Sequence, residues 1–113
     1  MINHHKFCIA PMMKKTDKHF RFMARQFTKN SMLYTEMIHS NAILKGDADK
    51  LLKYHNSEHP VGLQLGGSDP RSLAEAAIIG EDYGYDEINL NVGCPSKKVK
   101  SGNCGVFLMK NVE

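Results

Sequence analysis

Apolar positions along this chain follow two spacings, and the alternation between them predicts its elements. Short, nearly continuous apolar runs predict strands over residues 7–12, 32–37, 61–65 and 87–92. Between these runs, apolar side chains recur three, four and seven positions apart, as at Phe20, Met23 and Phe27, which is typical of a helix with one buried side. The pattern therefore predicts a strand followed by a helix three times, and then a fourth strand.

Turn and capping residues indicate where the helices begin and end. The predicted starts are marked by Thr16-Asp17, Gly46-Asp47 and Ser68-Asp69-Pro70. Short polar side chains at these points accept hydrogen bonds from the first helical turn, and proline suits the first helical position. Gly84 is suited to end the third helix, because glycine readily adopts the left-handed conformation found there.

The spacing of the strands predicts a parallel sheet. Strand starts lie 25, 29 and 26 residues apart, the length that a strand, a crossover helix and two loops require. Both an open doubly wound sheet and a closed eight-stranded barrel use such units. Polar and reactive residues lie at the ends of all four strands, which favours the barrel, and no Gly-x-Gly-x-x-Gly motif supports the open sheet.

The length of the chain limits how much of a barrel it can form. A closed barrel needs about 250 residues, whereas this chain has 113. We therefore expect an α/β fold that is the amino-terminal half of a TIM (β/α)8 barrel, truncated, with four βα units present or begun. Strands one and four would then be edges of the sheet.

The fourth strand and the turn after it carry the clearest candidate chemistry. Because side chains alternate along a strand, Asn89 and Asn91 point to the same side, opposite Ile88 and Leu90. The two amides fit either a structural hydrogen bond or a lined pocket, and the strand alone does not decide between them. Beyond it, Gly93 and Pro95 force a turn around Cys94, which places a thiol at the strand end.

Composition excludes several classes of protein. The apolar fraction of 42% and the charged fraction of 24% are typical of globular proteins, and the net charge of +3 permits an anionic partner such as RNA. No apolar run approaches the roughly 18 residues of a membrane span. Three cysteines without paired spacing and six scattered histidines predict no disulfide framework and no metal site. We expect a cytoplasmic protein with reduced thiols, and the sequence indicates no oligomeric state.

Several motifs carry a family resemblance. They are Ala10-Pro11-Met12, Thr16-Asp17 with Phe20-Arg21, Leu33-Tyr34-Thr35-Glu36-Met37, His59-Pro60, Gln64-Leu65-Gly66-Gly67-Ser68-Asp69-Pro70, Gly84-Tyr85-Asp86-Glu87 and Asn89-Leu90-Asn91-Val92-Gly93-Cys94-Pro95-Ser96. Together they resemble the tRNA-dihydrouridine synthases, and their order and spacing are similar to those of the A subfamily. The resemblance covers residues 6–109, nearly the whole chain.

The resemblance implies an enzyme that reduces a uracil in the D-loop of tRNA to dihydrouracil. It implies flavin mononucleotide (FMN) as cofactor, NADPH or NADH as electron donor, and tRNA as partner. Residue by residue, it implies that Ala10, Pro11 and Met12 cradle the flavin and that Gln64 bonds its ring edge. It further implies that Asn91 meets the substrate nucleotide and that Cys94 donates the proton.

A thiol suits that last role. Because an unperturbed cysteine has a pKa of about 8.5, it is mostly protonated at neutral pH and can act as an acid. Lys97, Lys98 and Lys100 follow Cys94 closely. They fit either contacts to tRNA phosphates or a merely solvated basic loop, and their positive charge is expected to lower the pKa of the thiol.

The resemblance also defines what residues 1–113 are expected to lack. The family's catalytic lysine and histidine, its flavin-phosphate loops and its helical tRNA-binding domain would all lie beyond Glu113. The 113 residues would form one partial flavin-binding barrel domain. An alternative is a non-catalytic remnant with at most weak RNA binding or self-association, and a third is a flavin-dependent barrel reductase that acts on small pyrimidines.

Overall fold

Four parallel strands form the centre of the computed structural model, in which residues 3–97, 99 and 104–110 are described. The strands are β1 (Cys8–Ile9), β2 (Met32–His39), β3 (Val61–Gly66) and β4 (Glu87–Leu90). Among the described residues the order in the sheet is β1-β2-β3-β4, with every neighbouring pair parallel. Doubly wound sheets reverse strand order at a switch point, whereas barrels add strands in one direction. This order confirms the α/β fold predicted as the amino-terminal part of a TIM barrel.

All but one of the described α-helices begin where the capping residues predict. They are α1 (Lys18–Phe27), α2 (Ser40–Lys45), α3 (Ala48–Leu52) and α4 (Pro70–Asp82), with short 3-10 helices at His4–Lys6, Asn56–Glu58 and Gly105–Lys110. The Asp17 carboxylate accepts the backbone N–H of Phe20 at 2.8 Å, and Asp69 accepts that of Ser72 at 2.9 Å. Each carboxylate thereby satisfies an N–H that has no partner within its helix.

The outer face of the sheet packs against the helices and forms the core. Val61, Leu63 and Leu65 alternate along β3 and are all but inaccessible to solvent, beneath Leu52 and Ala76. α4 packs closely against the strands because Gly80 has no Cβ atom. A Cβ atom there would lie only 2.6 Å from the Leu63 side chain. The helices thus cover this face, as they do on the outside of a barrel.

The inner face of the sheet is polar. Gln64 on β3 pairs in register with Asn89 on β4, and Gly62 pairs with Glu87. The hydroxyl of Tyr34 on β2 donates to the Glu87 carboxylate at 2.6 Å. The side-chain alternation predicted for strand four is therefore present, with Asn89 facing inward.

A bulge in β2 offsets the alternation of its side chains. Tyr34 and Met37, three residues apart, therefore both pair with inner-face positions of β3. The register with β3 shifts between Tyr34 and Met37, so that Met37 pairs with Gln64. The hydroxyl of Thr35 fills the gap in the ladder by accepting the Gln64 backbone N–H at 3.0 Å. Bulges of this kind often lie beside active sites, because they redirect side chains at the strand end.

Two strands end earlier than predicted. β1 ends at Ile9 rather than residue 12 because the chain turns there, with Thr16 bonding back to Met12. β4 ends at Leu90 rather than residue 92 because Asn91 begins the turn to Cys94. The helix α2 is additional to the prediction.

Candidate active site

A chain of three amides links the carboxyl ends of β3 and β4. The Gln64 amide donates to Asn89 Oδ1 at 2.8 Å, and its carbonyl oxygen accepts from Asn91 Nδ2 at 3.1 Å. Gln64 is only 8% exposed, so these bonds satisfy polar atoms that would otherwise be costly to bury. The structural hydrogen bonds considered for Asn89 and Asn91 are therefore present, while a pocket lined by these amides stays a prediction.

Asn91 holds the turn that carries Cys94. Its Oδ1 accepts the backbone N–H groups of Gly93 at 3.1 Å and Cys94 at 3.0 Å. Its own backbone N–H donates to the Leu65 carbonyl at 2.9 Å, which extends the pairing with β3 by one bond. This Asx turn fixes the direction in which the chain leaves the sheet, so the predicted substrate contact Asn91 also has a positioning role.

Cys94 is half-buried at this edge of the sheet and lies close to Ser96. The thiol sulfur lies 3.6 Å from the Ser96 hydroxyl oxygen. Hydrogen bonds from the backbone and the hydroxyl of Ser96 hold the pKa of the Cys94 thiol below its ordinary value. The direction agrees with the sequence expectation, and among the described residues its cause is the neighbouring hydroxyl and amide of Ser96.

The two other cysteines are in different environments, and all three are free thiols. Cys104 is 1% exposed and donates to the Val99 carbonyl at 3.6 Å. Burial raises the pKa of the Cys104 thiol, and the charge on Cys94 adds to the rise. Cys8, on β1, is exposed.

The predicted flavin residues of the first strand lie in a loop after β1. The Met12 backbone N–H donates to the Thr16 hydroxyl at 3.0 Å, and that hydroxyl donates back to the Met12 carbonyl at 3.3 Å. Ala10 and Met12 are exposed and Pro11 is half-buried. The loop is at the same edge of the sheet as Gln64 and Cys94, and within the described residues no hydrogen bond joins the two groups.

The sequence offered candidate members of this site but not the contacts between them. Lys97 is exposed, and Lys98 and Lys100 lie outside the described residues. Sequence reasoning missed Ser96 as the partner of Cys94 and Thr16 as the anchor of the β1 loop. The available signal was their position, since each hydroxyl lies two to four residues from the group it contacts.

Comparison with known proteins identifies the family. A sequence profile described as dihydrouridine synthase (Dus) matches residues 8–113. The chain belongs to the dihydrouridine synthase family. This confirms the resemblance drawn from the motifs, since the matched region holds every one of them.

The relatives in this family are considerably longer than the chain. A Synechocystis protein is 61% identical over 101 residues, which are 89% of this chain and 30% of the relative. An Escherichia coli protein is 52% identical over 108 residues (96% and 31%), and a Pseudomonas aeruginosa protein is 51% identical over 104 (92% and 31%). All three are named tRNA-dihydrouridine(20/20a) synthase. The chain spans only about three-tenths of the length of these curated relatives.

The described part of the chain contains neither a membrane-spanning helix nor a metal-binding cluster. Every helix there is too short or too polar to cross a bilayer. Nor do these residues bring together three or more histidine, cysteine or acidic side chains in a group that could hold a metal ion.

Proposed function

We propose that this chain forms part of an enzyme that reduces uridine to 5,6-dihydrouridine in the D-loop of tRNA. The observation that carries the proposal is the half-buried Cys94, held on a turn by Asn91 at the carboxyl end of a parallel sheet. Active sites of TIM-barrel enzymes lie at this end. The names of the relatives, tRNA-dihydrouridine(20/20a) synthases, support the same reaction.

The residues at this edge fit a flat heterocycle with polar edges. Gln64 retains one amide N–H and one carbonyl lone pair beyond its bonds to Asn89 and Asn91, so it can pair with a ring carbonyl or ring N–H. Ala10, Pro11 and Met12 offer apolar surface that a ring can cover. FMN held here and reduced by NADPH or NADH would supply the hydride that the uracil double bond requires.

Cys94 holds the proton for the second half of the reduction. The S–H bond of Cys94 breaks as a C–H bond forms on one carbon of the uracil double bond, while the hydride adds to its neighbour. Water then returns a proton to the thiolate. Because this step needs the protonated thiol and Ser96 lowers its pKa, the rate falls as pH rises through that pKa.

The proposed substrate contacts use the free N–H group of Asn91 and the lysines that follow Cys94. The target base must leave its stack for the ring to be reached, and Asn91 keeps one N–H that can donate to a uracil carbonyl. Lys97, Lys98 and Lys100 follow the thiol in sequence and would bind tRNA phosphates.

The whole enzyme would need more than these residues. Residues 1–113 would supply one part of a flavin-binding barrel domain, and the other strands and a helical tRNA-binding domain would come from sequence outside them. The share of about three-tenths of each relative supports this division. Cytoplasmic location stays a prediction.

The alternative of self-association without catalysis is favoured by one observation. The outward side chains of the edge strand β4, Ile88 and Leu90, are 37% and 45% exposed. An apolar edge strand is a surface on which a second chain can pair. Gel filtration of the chain across a range of concentrations tests this reading, which predicts a concentration-dependent dimer.

Substitution of Cys94 in a complete enzyme that carries this chain tests the proposed reaction. Cys94→Ala is expected to abolish dihydrouridine, measured by mass spectrometry of tRNA nucleosides, while the absorbance of bound flavin is unchanged. Cys8→Ala removes another accessible thiol and is the matched control, expected to retain activity. Normal product from Cys94→Ala would refute the acid role of this residue.

A further inference from the structure

A groove runs from Cys94 across the carboxyl end of β2 to helix α3. It lies between the first turn of α1, the carboxyl half of β2 and helix α3, and has a volume of about 800 Å³. Cys94 and Ser96 line one end of it, and Lys50 and Lys53 lie on the α3 side. Pockets that bind small organic groups fall in the range of about 300–1,000 Å³.

The groove adjoins the predicted flavin surface but is lined by other residues. Ala10, Pro11, Met12, Gln64 and Asn91 are all described, and none of them lines it, whereas Met13 and Lys14, which follow Met12, do. Cys94 lines the groove and is also bonded through its backbone N–H to Asn91 of the amide chain. A nucleotide that reacts at Cys94 belongs to a strand, and its neighbours need a path away from the thiol.

The charge of the groove favours a polyanion. Lys14, Lys18, Lys50 and Lys53 line it. None of the four forms an ion pair with any described carboxylate. A multiply charged strand is attracted to such unpaired lysines and releases counterions when it binds them.

The acidic residues of the groove offset only part of this charge. Its two carboxylates, Asp17 and Glu36, are each bonded to a backbone N–H, Asp17 to that of Phe20 and Glu36 to that of Lys14. Arg21, which also lines the groove, is paired with Glu58 at 2.5 Å. The four lysines thus outnumber the two carboxylates, and the groove keeps a net positive charge.

The apolar surface between the lysines favours RNA over an acidic peptide. Met13, Met37, Ile38 and Leu51 line the groove, and Met13 and Leu51 are 45% and 38% exposed. Unstacked bases of single-stranded loops pack on such surface while their phosphates reach basic side chains. A groove that bound only charged groups would not need this apolar surface.

We propose that this groove binds the tRNA strand adjacent to the nucleotide that reacts at Cys94. Lys50 and Lys53 contact its phosphates, and the apolar surface holds a neighbouring base. The inference rests on the proposed function, because it takes the reacting nucleotide to be part of tRNA. It adds a second binding surface to the loop of Lys97, Lys98 and Lys100.

Charge reversal tests the groove directly in the 113-residue chain. Lys50→Glu with Lys53→Glu is compared with the same change at Lys6 and Lys29, which are exposed and lie outside the groove. The probe is a labelled, unmodified tRNA transcript, followed by fluorescence anisotropy across a salt series. Circular dichroism verifies that both double variants fold, and Lys50→Gln with Lys53→Gln provides a milder change if either does not.

The Lys50→Glu, Lys53→Glu variant (the groove pair) is expected to weaken tRNA binding about tenfold or more at low salt. It should also reduce the slope of log affinity against log salt concentration by about two. The Lys6→Glu, Lys29→Glu variant (the control pair) should change the affinity and the slope much less. Equal losses in the two pairs would overturn the inference, as would a wild-type chain that does not bind. Displacement of the transcript by polyglutamate as readily as by unlabelled tRNA would also overturn it, by indicating an acidic-peptide surface.

Kinetics of a complete enzyme separate this inference from the proposed function. The groove pair should raise KM for tRNA about tenfold with kcat unchanged, because it removes binding that is uniform along the reaction. An active enzyme whose KM does not change would refute the groove alone. In a second outcome, the wild-type enzyme makes no dihydrouridine while the Lys50→Glu, Lys53→Glu variant still loses tRNA binding. That combination would refute the proposed function and leave the groove as an RNA-binding site.

Discussion

The two faces of the sheet are built from opposite kinds of residue, although the same strands supply both. On the outer face, Leu63 and Leu65 are fully buried beneath the helices. On the inner face, Gln64 lies between them in sequence and bonds two other amides. The alternation of a single strand thus separates the residues that stabilise the fold from those that arrange the site. We expect substitutions on the two faces to differ accordingly, in stability on one and in Cys94 chemistry on the other.

The largest expected effect is on the outer face. Leu63→Ala should lower the free energy of unfolding by about 2–5 kcal/mol, because it leaves a cavity in a packed core. Urea denaturation of the chain measures this. Leu90→Ala is the control, since Leu90 is 45% exposed and should cost far less. Similar losses in the two variants would mean that burial beneath the helices does not determine the loss of stability.

An inner-face amide should have a smaller effect on stability and a measurable effect on the thiol. Gln64→Ala removes the partners of Asn89 and Asn91 and should cost about 1–3 kcal/mol. It should also change the rate at which iodoacetamide alkylates Cys94, because Asn91 loses one of its anchors. Gln26→Ala, on the exposed side of α1, should change neither quantity, and an unaltered alkylation rate in Gln64→Ala would break the proposed link between amides and thiol.

The turn that Asn91 forms before Cys94 should have the next largest effect on stability. Asn91→Ala removes the acceptor for the N–H groups of Gly93 and Cys94 and should cost about 0.5–1.5 kcal/mol while altering Cys94 alkylation. Asn91→Ser should restore part of the wild-type alkylation rate, since a serine hydroxyl can accept from the same backbone. If serine behaves as alanine does, the Asx turn does not position the thiol.

The smallest change concerns protonation rather than stability. Ser96→Ala should raise the pKa of Cys94, because it removes a hydrogen bond that favours the thiolate. The pH at which alkylation reaches half its maximal rate should move upward, with Ser68→Ala as an unaffected control. In the complete enzyme, the loss of rate at alkaline pH should move upward in the same way. A downward shift would contradict the assignment of Ser96.

Local signals predicted much of this fold. Asp17, Asp69 and Pro70 marked helix starts correctly, because capping depends on neighbours within one turn. The parallel order of the strands followed from their spacing. The helix α2 was missed because Ser40 and Asn41 resemble loop residues, whereas its apolar residue Ile43 is 2% exposed and packs into the core. Tertiary packing there outweighs local preference.

The connections within the site were harder to predict than its members. Cys94 and Asn91 stand in one short motif, so they could be chosen from the sequence. The bonds of Gln64 to Asn89 and Asn91 depend on the register between β3 and β4, which no local pattern specifies. The groove likewise joins residues of α1, β2 and α3 with Cys94, and only the folded chain brings them together.

The central claim is that the open end of the inner face presents an accessible thiol of lowered pKa. Alkylation of the native Cys8→Ser chain across pH, with peptide mapping by mass spectrometry, tests it most directly. The structure predicts rapid labelling of Cys94, with a midpoint below that of an ordinary thiol, and none of the buried Cys104. Labelling of Cys94 only after unfolding, or at the same rate as Cys104, would contradict the account.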